Sequence, residues 1–321
     1  MSLPLPRRGA LLGALALPAL LGTARAQGRA PLRVAQYKAG DALLLRLAGQ
    51  AETPYPIAWS EFASGNLMVE AAHAGSIDLA YGSEIPPAFA AASGARIKIV
   101  AVIKGDVNEQ VVLVPKDSPV RGIADLKGKR VGYVRATTTH FYLNRMLAEA
   151  GLSFSDIKAV NLSPSDGRAA FESGALDAWA IYGYSVPLAR QAGARVLRTA
   201  QGILSGNYLY FARAEALQNP ETAAAIADYL ARIARGFLWI DDHKAQLAEA
   251  QAAQLNLPAQ IIRDVLENVS QPRRLHRPDA AAIASHQEVA DEFTRLGLLP
   301  GKVDVAPLWD LSFGRRLELA A

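Results

Sequence analysis

The sequence predicts a layered α/β fold in two lobes. Short apolar runs alternate with helical patterns from Leu32 onward, as they do when helices cover the strands of a sheet. Two such strand–helix sets precede a chain that turns helical beyond Pro220. Strand-like segments near Val111 and Tyr208 join the two sets. We therefore expect two crossovers with a cleft between the lobes.

The first strand–helix set begins after a short leader. Helices are predicted from Asp41 and from Gly65, where apolar side chains recur at helical spacing. A turn-rich segment, Pro115–Pro119, ends the set. The predicted strands of this set are Leu32–Gln36, Ile57–Phe62, Ile77–Tyr81, Ile97–Ile103 and Val111–Val114.

The same patterns predict the strands and helices of the second set and of the C-terminal region. The predicted strands are Arg130–Val134, Ile157–Leu162, Leu176–Tyr182, Arg195–Thr199 and Asn207–Arg213. The predicted helices are Thr138–Glu149, one ending at Gly174, Ser185–Gln191, Glu221–Asp241, His243–Asn256, Ala259–Val269 and Pro278–Leu296. This order predicts a first lobe at 27–112, a second lobe at 113–209 and a return to the first lobe at 210–321.

Residues 1–26 have the pattern of an export signal. Arg7 and Arg8 precede an apolar run, and Ala24-Arg25-Ala26 is a small-x-small cleavage pattern. We expect a periplasmic protein that begins near Gln27, exported by the general secretory or the twin-arginine route. The sequence has no cysteine, which excludes thiol chemistry.

The leader also accounts for most of the net charge. The whole chain is formally +4, and three of its arginines lie in the leader, which has no acidic residue. About +1 remains, and no basic stripe is interleaved with aromatic residues, so we expect no nucleic-acid partner. We expect a monomer with at most peripheral membrane contact.

The strongest candidate for a binding site is Arg135–His140, directly after a predicted strand and opening a helix. Thr137, Thr138 and Thr139 offer hydroxyls beside unpaired backbone N–H groups, which makes this helix start a candidate anion site. One threonine acting only as an N-cap is the alternative. His140 can hydrogen-bond a ligand or simply pack.

Three further helix starts could face the same cleft. Ser64, Gly65 and Asn66 follow a strand and combine two polar side chains with a glycine. Ser83 and Glu84 precede paired prolines suited to a first helical turn. Ser163-Pro164-Ser165-Asp166 opens a later helix. Each pattern is also typical of ordinary N-caps.

Several segments resemble the aliphatic sulfonate-binding proteins of ABC importers. They include Val114–Pro119, Ala124–Lys129 and Asp166–Gly174, together with Ala74–Asp78 and Leu176–Ile181. The similarity runs from about Leu32 to Trp309. It implies a type II periplasmic-binding-protein fold, whose two α/β lobes joined by two crossover segments close on a ligand. It also implies an organic anion as ligand, and an ABC permease with its ATPase as partners.

The resemblance implies which residues bind the ligand. A serine-rich loop of the family corresponds to Ala136–His140, and hydroxyls and backbone amides there would hold sulfonate oxygens. The loop after the second strand corresponds to Ser64, Gly65 and Asn66. Gly82, Ser83 and Glu84 stand where the family has Thr-Gly-Asp. No cofactor or metal is implied.

The sequence departs from the family pattern where the organic part of a ligand would lie. The first-strand loop is Gln36–Gly40, the later strand continues as Tyr182–Ser185, and Lys104–Glu109 replaces a proline-rich stretch. Tyr37 and Lys38 with Tyr182 and Tyr184 complete the expected ligand contacts. The tyrosines could present flat surfaces to an aromatic or larger sulfonate, or be partly buried lobe residues.

Two other classes of function stay open from the sequence. An enzyme would need a catalytic group, but desulfinases of this fold use a cysteine, and the five histidines have no metal-ligand spacing. A binding protein for nitrate, bicarbonate, taurine or a thiamine-precursor pyrimidine would have the same fold. A sensor that presents its closed lobes to a membrane receptor is a further alternative.

Overall fold

The computed structural model describes residues 29–317, so the predicted export signal at 1–26 lies outside the described residues. The strands are β1 (Leu32–Gln36), β2 (Ile57–Glu61), β3 (Leu79–Ser83), β4 (Ile97–Lys104), β5 (Gln110–Val114), β6 (Arg130–Tyr133), β7 (Lys158–Asn161), β8 (Ala178–Tyr182), β9 (Arg195–Thr199), β10 (Asn207–Arg213) and β11 (Arg274–His276). The helices are α1 (Asp41–Leu47), α2 (Gly65–His73), α3 (Ile85–Ala92), α4 (Thr138–Glu149), α5 (Pro164–Glu172), α6 (Ser185–Gln191), α7 (Ala214–Gln218), α8 (Pro220–Leu255), α9 (Ala259–Glu267), α10 (Ala280–Arg295) and α11 (Leu311–Gly314).

The strands form two separate sheets, as predicted. The first sheet has the order β11-β4-β10-β3-β1-β2, and the second has the order β7-β6-β8-β5-β9. β1 runs parallel to β2 and β3, whereas β10 is antiparallel to both β3 and β4. In the second sheet β6 is parallel to β7 and β8, and β5 is antiparallel to β8 and β9.

The chain changes sheet twice, and both changes come earlier than predicted. The boundaries expected after residues 112 and 209 fall inside β5 and β10, which belong wholly to the second and the first sheet. The crossovers are therefore the segments 105–109 and 200–206. The first boundary was misplaced because the polar Gln110 begins β5. The second strand, Asn207–Arg213, was predicted with the observed bounds, but the sequence did not indicate that all of it belongs to the first sheet.

Helices cover both faces of each sheet, which explains the apolar strands. All five residues of β5 are buried. Val112 and Val114 pack with helix α4 on one face, and Val111 and Leu113 pack with Trp179 on the other. Alternate residues of a strand point to opposite faces, so a strand buried on both sides reads as a continuous apolar run.

The long helix α8 contains the break that the sequence predicted. The prediction was two helices, ending and restarting around His243, and His243 has non-helical angles (φ −128°, ψ 25°) at a kink that divides α8 into two helical parts. Its ring stacks on Trp239 with 4.3 Å between centroids. The short edge strand β11 was not predicted. In the described part of the chain, no helix has both the length and the apolarity needed to cross a membrane.

Candidate ligand-binding cleft

A cavity of about 340 Å³ lies between the two sheets. One wall is the segment after β1, and the opposite wall is the first crossover with the start of α6. Helices α8 and α9 and the segment before β11 close the remaining side. The residues used below are Tyr37, Lys38, Asp41, Asp106, Glu109, Gln110, Tyr184, Tyr208, Phe237, Asp241, Lys244, Gln251 and Arg273.

A hydrogen-bonded chain connects this cavity to the N-terminus of α4. Thr138 donates through Oγ1 to Gln110 Oε1 at 2.8 Å, and Gln110 Nε2 donates to the Tyr208 hydroxyl at 3.2 Å. Gln110 and Tyr208 border both the main cavity and a void of about 10 Å³, and Thr138 and Ser83 border only that void. The predicted helix start thus lies beside the cleft.

The three threonine hydroxyls shape the loop before α4. Thr137 Oγ1 donates to the Val134 carbonyl at 2.8 Å, and Thr139 Oγ1 accepts from the Val134 N–H at 2.9 Å. These bonds hold Ala136 at φ +56°, a left-handed conformation that is costly for a residue with a Cβ. The Thr138 hydroxyl bonds to Gln110, so all three hydroxyls have protein partners in this structure.

The free donors at this helix start are backbone groups. Among residues 29–317, the N–H groups of Thr137, Thr138 and Thr139 meet no protein acceptor, while those of His140 and Phe141 bond to the Thr137 carbonyl. Such N–H groups, with the positive end of the helix dipole behind them, attract an anion. Ala39, before α1 in the first lobe, has the same φ of +56°.

His140 faces an aromatic cluster instead of the cavity. Its ring lies 5.0 Å from those of Tyr133 and Phe154 and 5.4 Å from that of Phe293. Its Nδ1 accepts from the Ala136 N–H at 3.3 Å. Burial, helped by Arg135, lowers the pKa of His140 to about 4, so the ring is neutral at pH 7. Its placement indicates packing, the second of its two predicted roles.

Glu84 also has an internal role that differs from its predicted one. It is buried, and its carboxylate accepts from Ser205 Oγ at 2.6 Å, Asn207 Nδ2 at 3.0 Å and Ser285 Oγ at 3.1 Å. Burial raises the pKa of Glu84, and these three donors partly offset the rise. The carboxylate ties the β3–α3 turn to the second crossover and to α10.

Tyr37 directly follows β1 and lines the cavity on the side of the first lobe. Its ring packs edge-on against Tyr81, with 5.3 Å between centroids. Burial, with Tyr182 and Tyr208 nearby, raises the pKa of Tyr37. A Cβ added at Gly65 would lie 3.1 Å from the Tyr37 hydroxyl oxygen, so the glycine lets this hydroxyl approach the start of α2.

The other predicted residues divide into those at the cleft and those away from it. Lys38 and Tyr184 line the main cavity. Tyr182 lies close to Tyr37 and Tyr208, and burial raises its pKa to about 12. Ser64 is half-buried and Asn66 is exposed, and neither lines the cavity. Sequence reasoning missed Gln110, Tyr208 and Gln251, polar residues that only the crossovers and α8 bring to the site.

Gln251 joins the two lobes across the cavity. Its Oε1 accepts from the Tyr184 hydroxyl at 2.9 Å, and its Nε2 donates to the Ala39 carbonyl at 3.2 Å. Asp41 lies deeper and accepts from the hydroxyls of Tyr210 at 2.6 Å and Tyr229 at 2.7 Å. Burial raises the pKa of Asp41 despite these donors.

Comparisons with known proteins identify the family. Residues 60–238 match the family described as NMT1/THI5 like. A protein of Escherichia coli (strain K12) named for binding aliphatic sulfonates is 36% identical over 281 residues, which cover 85% of this chain and 86% of that protein. The chain belongs to the aliphatic sulfonate-binding protein family.

Solved structures of this family have the same two-lobe fold. The periplasmic aliphatic sulphonate binding protein SsuA from Escherichia coli aligns with a TM-score of 0.77 at 33% identity, covering 86% of this chain and 90% of SsuA. The alkanesulfonate-binding protein SsuA from Xanthomonas axonopodis pv. citri, bound to MOPS, aligns with a TM-score of 0.79 at 32% identity, covering 89% and 99%. The type II periplasmic-binding-protein fold predicted from the sequence is confirmed.

Proposed function

We propose that this protein is the periplasmic solute-binding component of an ABC importer, which captures an organosulfonate between its lobes and delivers it to a permease and its ATPase. The observation that carries the proposal is the set of unpaired backbone donors at the start of α4, beside a cavity between the lobes. The relatives named for binding aliphatic sulfonates support the ligand class.

The polar end of the site fits a permanently ionised anion. The nearest donors are neutral: the N–H groups of Thr137, Thr138 and Thr139 and the Tyr208 hydroxyl. Neutral donors stabilise an oxyanion without a fixed counter-charge, which suits a group that stays ionised at any physiological pH. The helix dipole contributes roughly 0.3 to 2 kcal/mol, and micromolar affinity needs about 8 kcal/mol, so contacts from both lobes are required.

The size of the cavity favours an organic anion over nitrate or bicarbonate. A volume of about 340 Å³ is in the range of pockets for small organic molecules, and a four-atom anion would leave most of it to water. The cavity also has aromatic surface, contributed by Tyr37, Tyr184 and Phe237. This surface can pack against the carbon skeleton of an organic sulfonate. A neutral pyrimidine would leave the α4 donors unused.

The proposed ligand contacts are a subset of those expected from the sequence. We retain the residues at the cleft and its connecting chain: Tyr37, Lys38, Ser83, Thr137, Thr138, Thr139, Tyr182 and Tyr184. We add Gln110, Tyr208 and Gln251. Gly65 acts through the space it leaves for Tyr37. Glu84 and His140 support the loops around the site, and Ser64 and Asn66 are left out of the contact set.

The two crossovers would act as the hinge between lobes. They are joined by a hydrogen bond from the Gly105 N–H to the Gly206 carbonyl at 3.0 Å. We propose lobe boundaries within 105–109 and 200–206, and an exported chain beginning near Gln27. Direct delivery to a permease and signalling to a receptor would use the same closed lobes, and the relatives' names favour delivery.

Replacing Thr138 tests whether a backbone donor of α4 holds the anion. Thr138 is the first residue of the helix, a position that tolerates proline, and its predecessor Thr137 is already extended (φ −130°, ψ −178°). Thr138→Ala removes the hydroxyl, whereas Thr138→Pro also removes the N–H. A hydrogen bond to a charged group is worth about 1.5 to 3 kcal/mol, so calorimetry with an alkanesulfonate is expected to show the proline variant binding tenfold or more weakly than the alanine variant.

The alanine variant is the matched control, because both variants lose the bond to Gln110. Equal affinities in the two variants would show that the Thr138 N–H does not contact the ligand. Circular dichroism of both proteins checks that α4 still forms.

A further inference from the structure

Glu109 is a half-buried residue with one unsatisfied carboxylate oxygen at the cavity between the lobes. It lies on the first crossover, directly before β5, and lines the cavity between the lobes. Its Oε2 atom is buried and meets no hydrogen-bond donor among the described residues. Its backbone is fixed, since its carbonyl accepts from the Gly183 N–H at 2.9 Å. Buried polar atoms are almost always hydrogen-bonded, so this exception calls for a donor from elsewhere.

Four other carboxylates of the described chain differ from Glu109 in this respect. Asp41 accepts from two tyrosine hydroxyls, and Glu84 accepts from three side chains. Asp78 accepts from the guanidinium groups of Arg33 and Arg213. Asp106, which also lines the cavity, accepts from the backbone of Asn108 at 3.0 Å and from Ser270. The fold thus supplies hydrogen-bond donors to each of these four carboxylates.

No cation of the described chain neutralises Glu109 by direct contact. Arg190 is the basic residue that lowers the pKa of Glu109, but Arg190 is exposed and forms no ion pair with Glu109. Burial raises the pKa of Glu109, as expected for a carboxylate without a close partner. A cationic donor inside the cavity would relieve this cost and hold the carboxylate ionised.

We propose that Glu109 binds a cationic amino group of the ligand, which makes the substrate class a zwitterionic aminosulfonate. The inference rests on the proposed function, in which the sulfonate lies at the start of α4. The two sites border one cavity, because Glu109 and its neighbour Gln110 both line it and the Gln110 side chain bonds to Thr138 at the start of α4. A ligand with a few methylenes between sulfonate and nitrogen can therefore reach both.

Cationic side chains also line the cavity, and they would favour a different ligand class, one with a second anionic group. Lys38, Lys244 and Arg273 line it and form no ion pair within residues 29–317. Lys38 and Arg273 are exposed, and the Arg273 guanidinium lies over the Phe237 ring at 5.8 Å. Water satisfies such exposed groups, whereas it does not reach Glu109 Oε2. The observations therefore favour an ammonium group over a second anionic group.

The test is isothermal titration calorimetry with three ligands of equal chain length. They are 1-propanesulfonate, 3-amino-1-propanesulfonate and 3-sulfopropanoate, titrated at pH 7 into the wild-type protein and Glu109→Gln. We expect the wild type to bind the aminosulfonate at least tenfold more tightly than propanesulfonate. The isosteric Glu109→Gln variant is expected to lose that preference while binding propanesulfonate within about threefold of the wild type.

Asp241→Asn is the matched control. Asp241 lines the same cavity but pairs with Arg274, so its neutralisation is expected to leave the amine preference unchanged. An equal preference in the wild type and Glu109→Gln would overturn the proposal, as would tightest binding of 3-sulfopropanoate. Binding of none of the three, with no binding of longer or aromatic sulfonates either, would overturn the proposed function itself. Binding of longer or aromatic sulfonates alone, or binding of propanesulfonate without an amine preference, would overturn only the role of Glu109.

Discussion

At the scale of residues, the polar groups predicted to bind a ligand fall into two classes: those that hydrogen-bond within the protein and those that stay free. The threonine hydroxyls and the Glu84 carboxylate are used to fix loops. Backbone donors, which no sequence pattern displays directly, remain free at the same place. The sequence predicted the start of α4 because a strand followed by a polar helix start is a local pattern. It could not predict which atoms stay unpaired, since their partners come from Val134, Ser205 and Ser285.

His140 shows the same limit of sequence-based prediction for a titratable side chain. Its neighbours in sequence suggested a ligand contact, but its ring packs against Phe293, which is contributed by a distant helix of the other lobe. A buried neutral histidine destabilises the fold under acid conditions, because the unfolded chain takes up a proton more readily. This property can be measured without any ligand.

We predict that stability falls as the pH drops below about 6.5. The pKa of His140 is near 6.5 when unfolded and about 4 when folded, so between these values the unfolded chain binds more protons. His286, with a pKa of about 3, acts in the same direction. Each group contributes a slope of at most about 1.4 kcal/mol per pH unit.

Urea unfolding of the wild type and His140→Phe between pH 7.5 and 4.5 measures this slope. The phenylalanine variant keeps an aromatic ring in the cluster but cannot take up a proton, so its free energy of unfolding is expected to fall less steeply. Identical slopes for the two proteins would mean that His140 titrates normally in the folded state.

At the scale of elements, the agreement is closest where the pattern is local. The helices Thr138–Glu149 and Ser185–Gln191 and the strands Leu32–Gln36 and Arg195–Thr199 have the predicted bounds. The edge strand β11 was missed because its three residues, two of them basic, form no apolar run. The start of β5 was missed because the polar Gln110 enters the sheet to reach Thr138.

The crossovers provide a prediction about the joining segments. Gly202 and Gly206 both have positive φ, +75° and +76°. A Cβ at Gly202 would meet open space, whereas a Cβ at Gly206 would lie 2.5 Å from the Gly105 carbonyl oxygen. Gly202→Ala is expected to lower the free energy of unfolding by about 1 kcal/mol. Gly206→Ala adds a backbone clash to the same strain. We therefore expect this substitution to lower the free energy of unfolding by at least twice as much as Gly202→Ala.

Chemical denaturation of the two alanine variants compares these costs directly, with Gly202→Ala as the control for strain alone. Equal losses of stability would contradict the close packing of the two crossovers. Ligand titration of Gly206→Ala then shows whether that packing also sets the geometry of lobe closure.

At the scale of the whole molecule, the cavity exists because distant parts of the chain meet. Gln251 on α8 bonds to Tyr184 of the second lobe, and Asn144 on α4 donates to Glu292 on α10 at 2.5 Å. Both contacts span the lobes. The sequence predicted two lobes and a cleft between them, but not that α8, α9 and the segment before β11 form one wall. Those residues follow the second crossover, and only the return of the chain to the first lobe brings them to Tyr37.

The central claim is that the closed cleft holds an organosulfonate. It is tested most directly by calorimetric titration of the protein with alkanesulfonates, taurine and other aminosulfonates, aromatic sulfonates, sulfate, nitrate and a neutral pyrimidine. We predict one site per chain, with micromolar or tighter affinity confined to sulfonates. Binding of nitrate or of the pyrimidine, with no heat from any sulfonate, would contradict the account while leaving the fold unchanged.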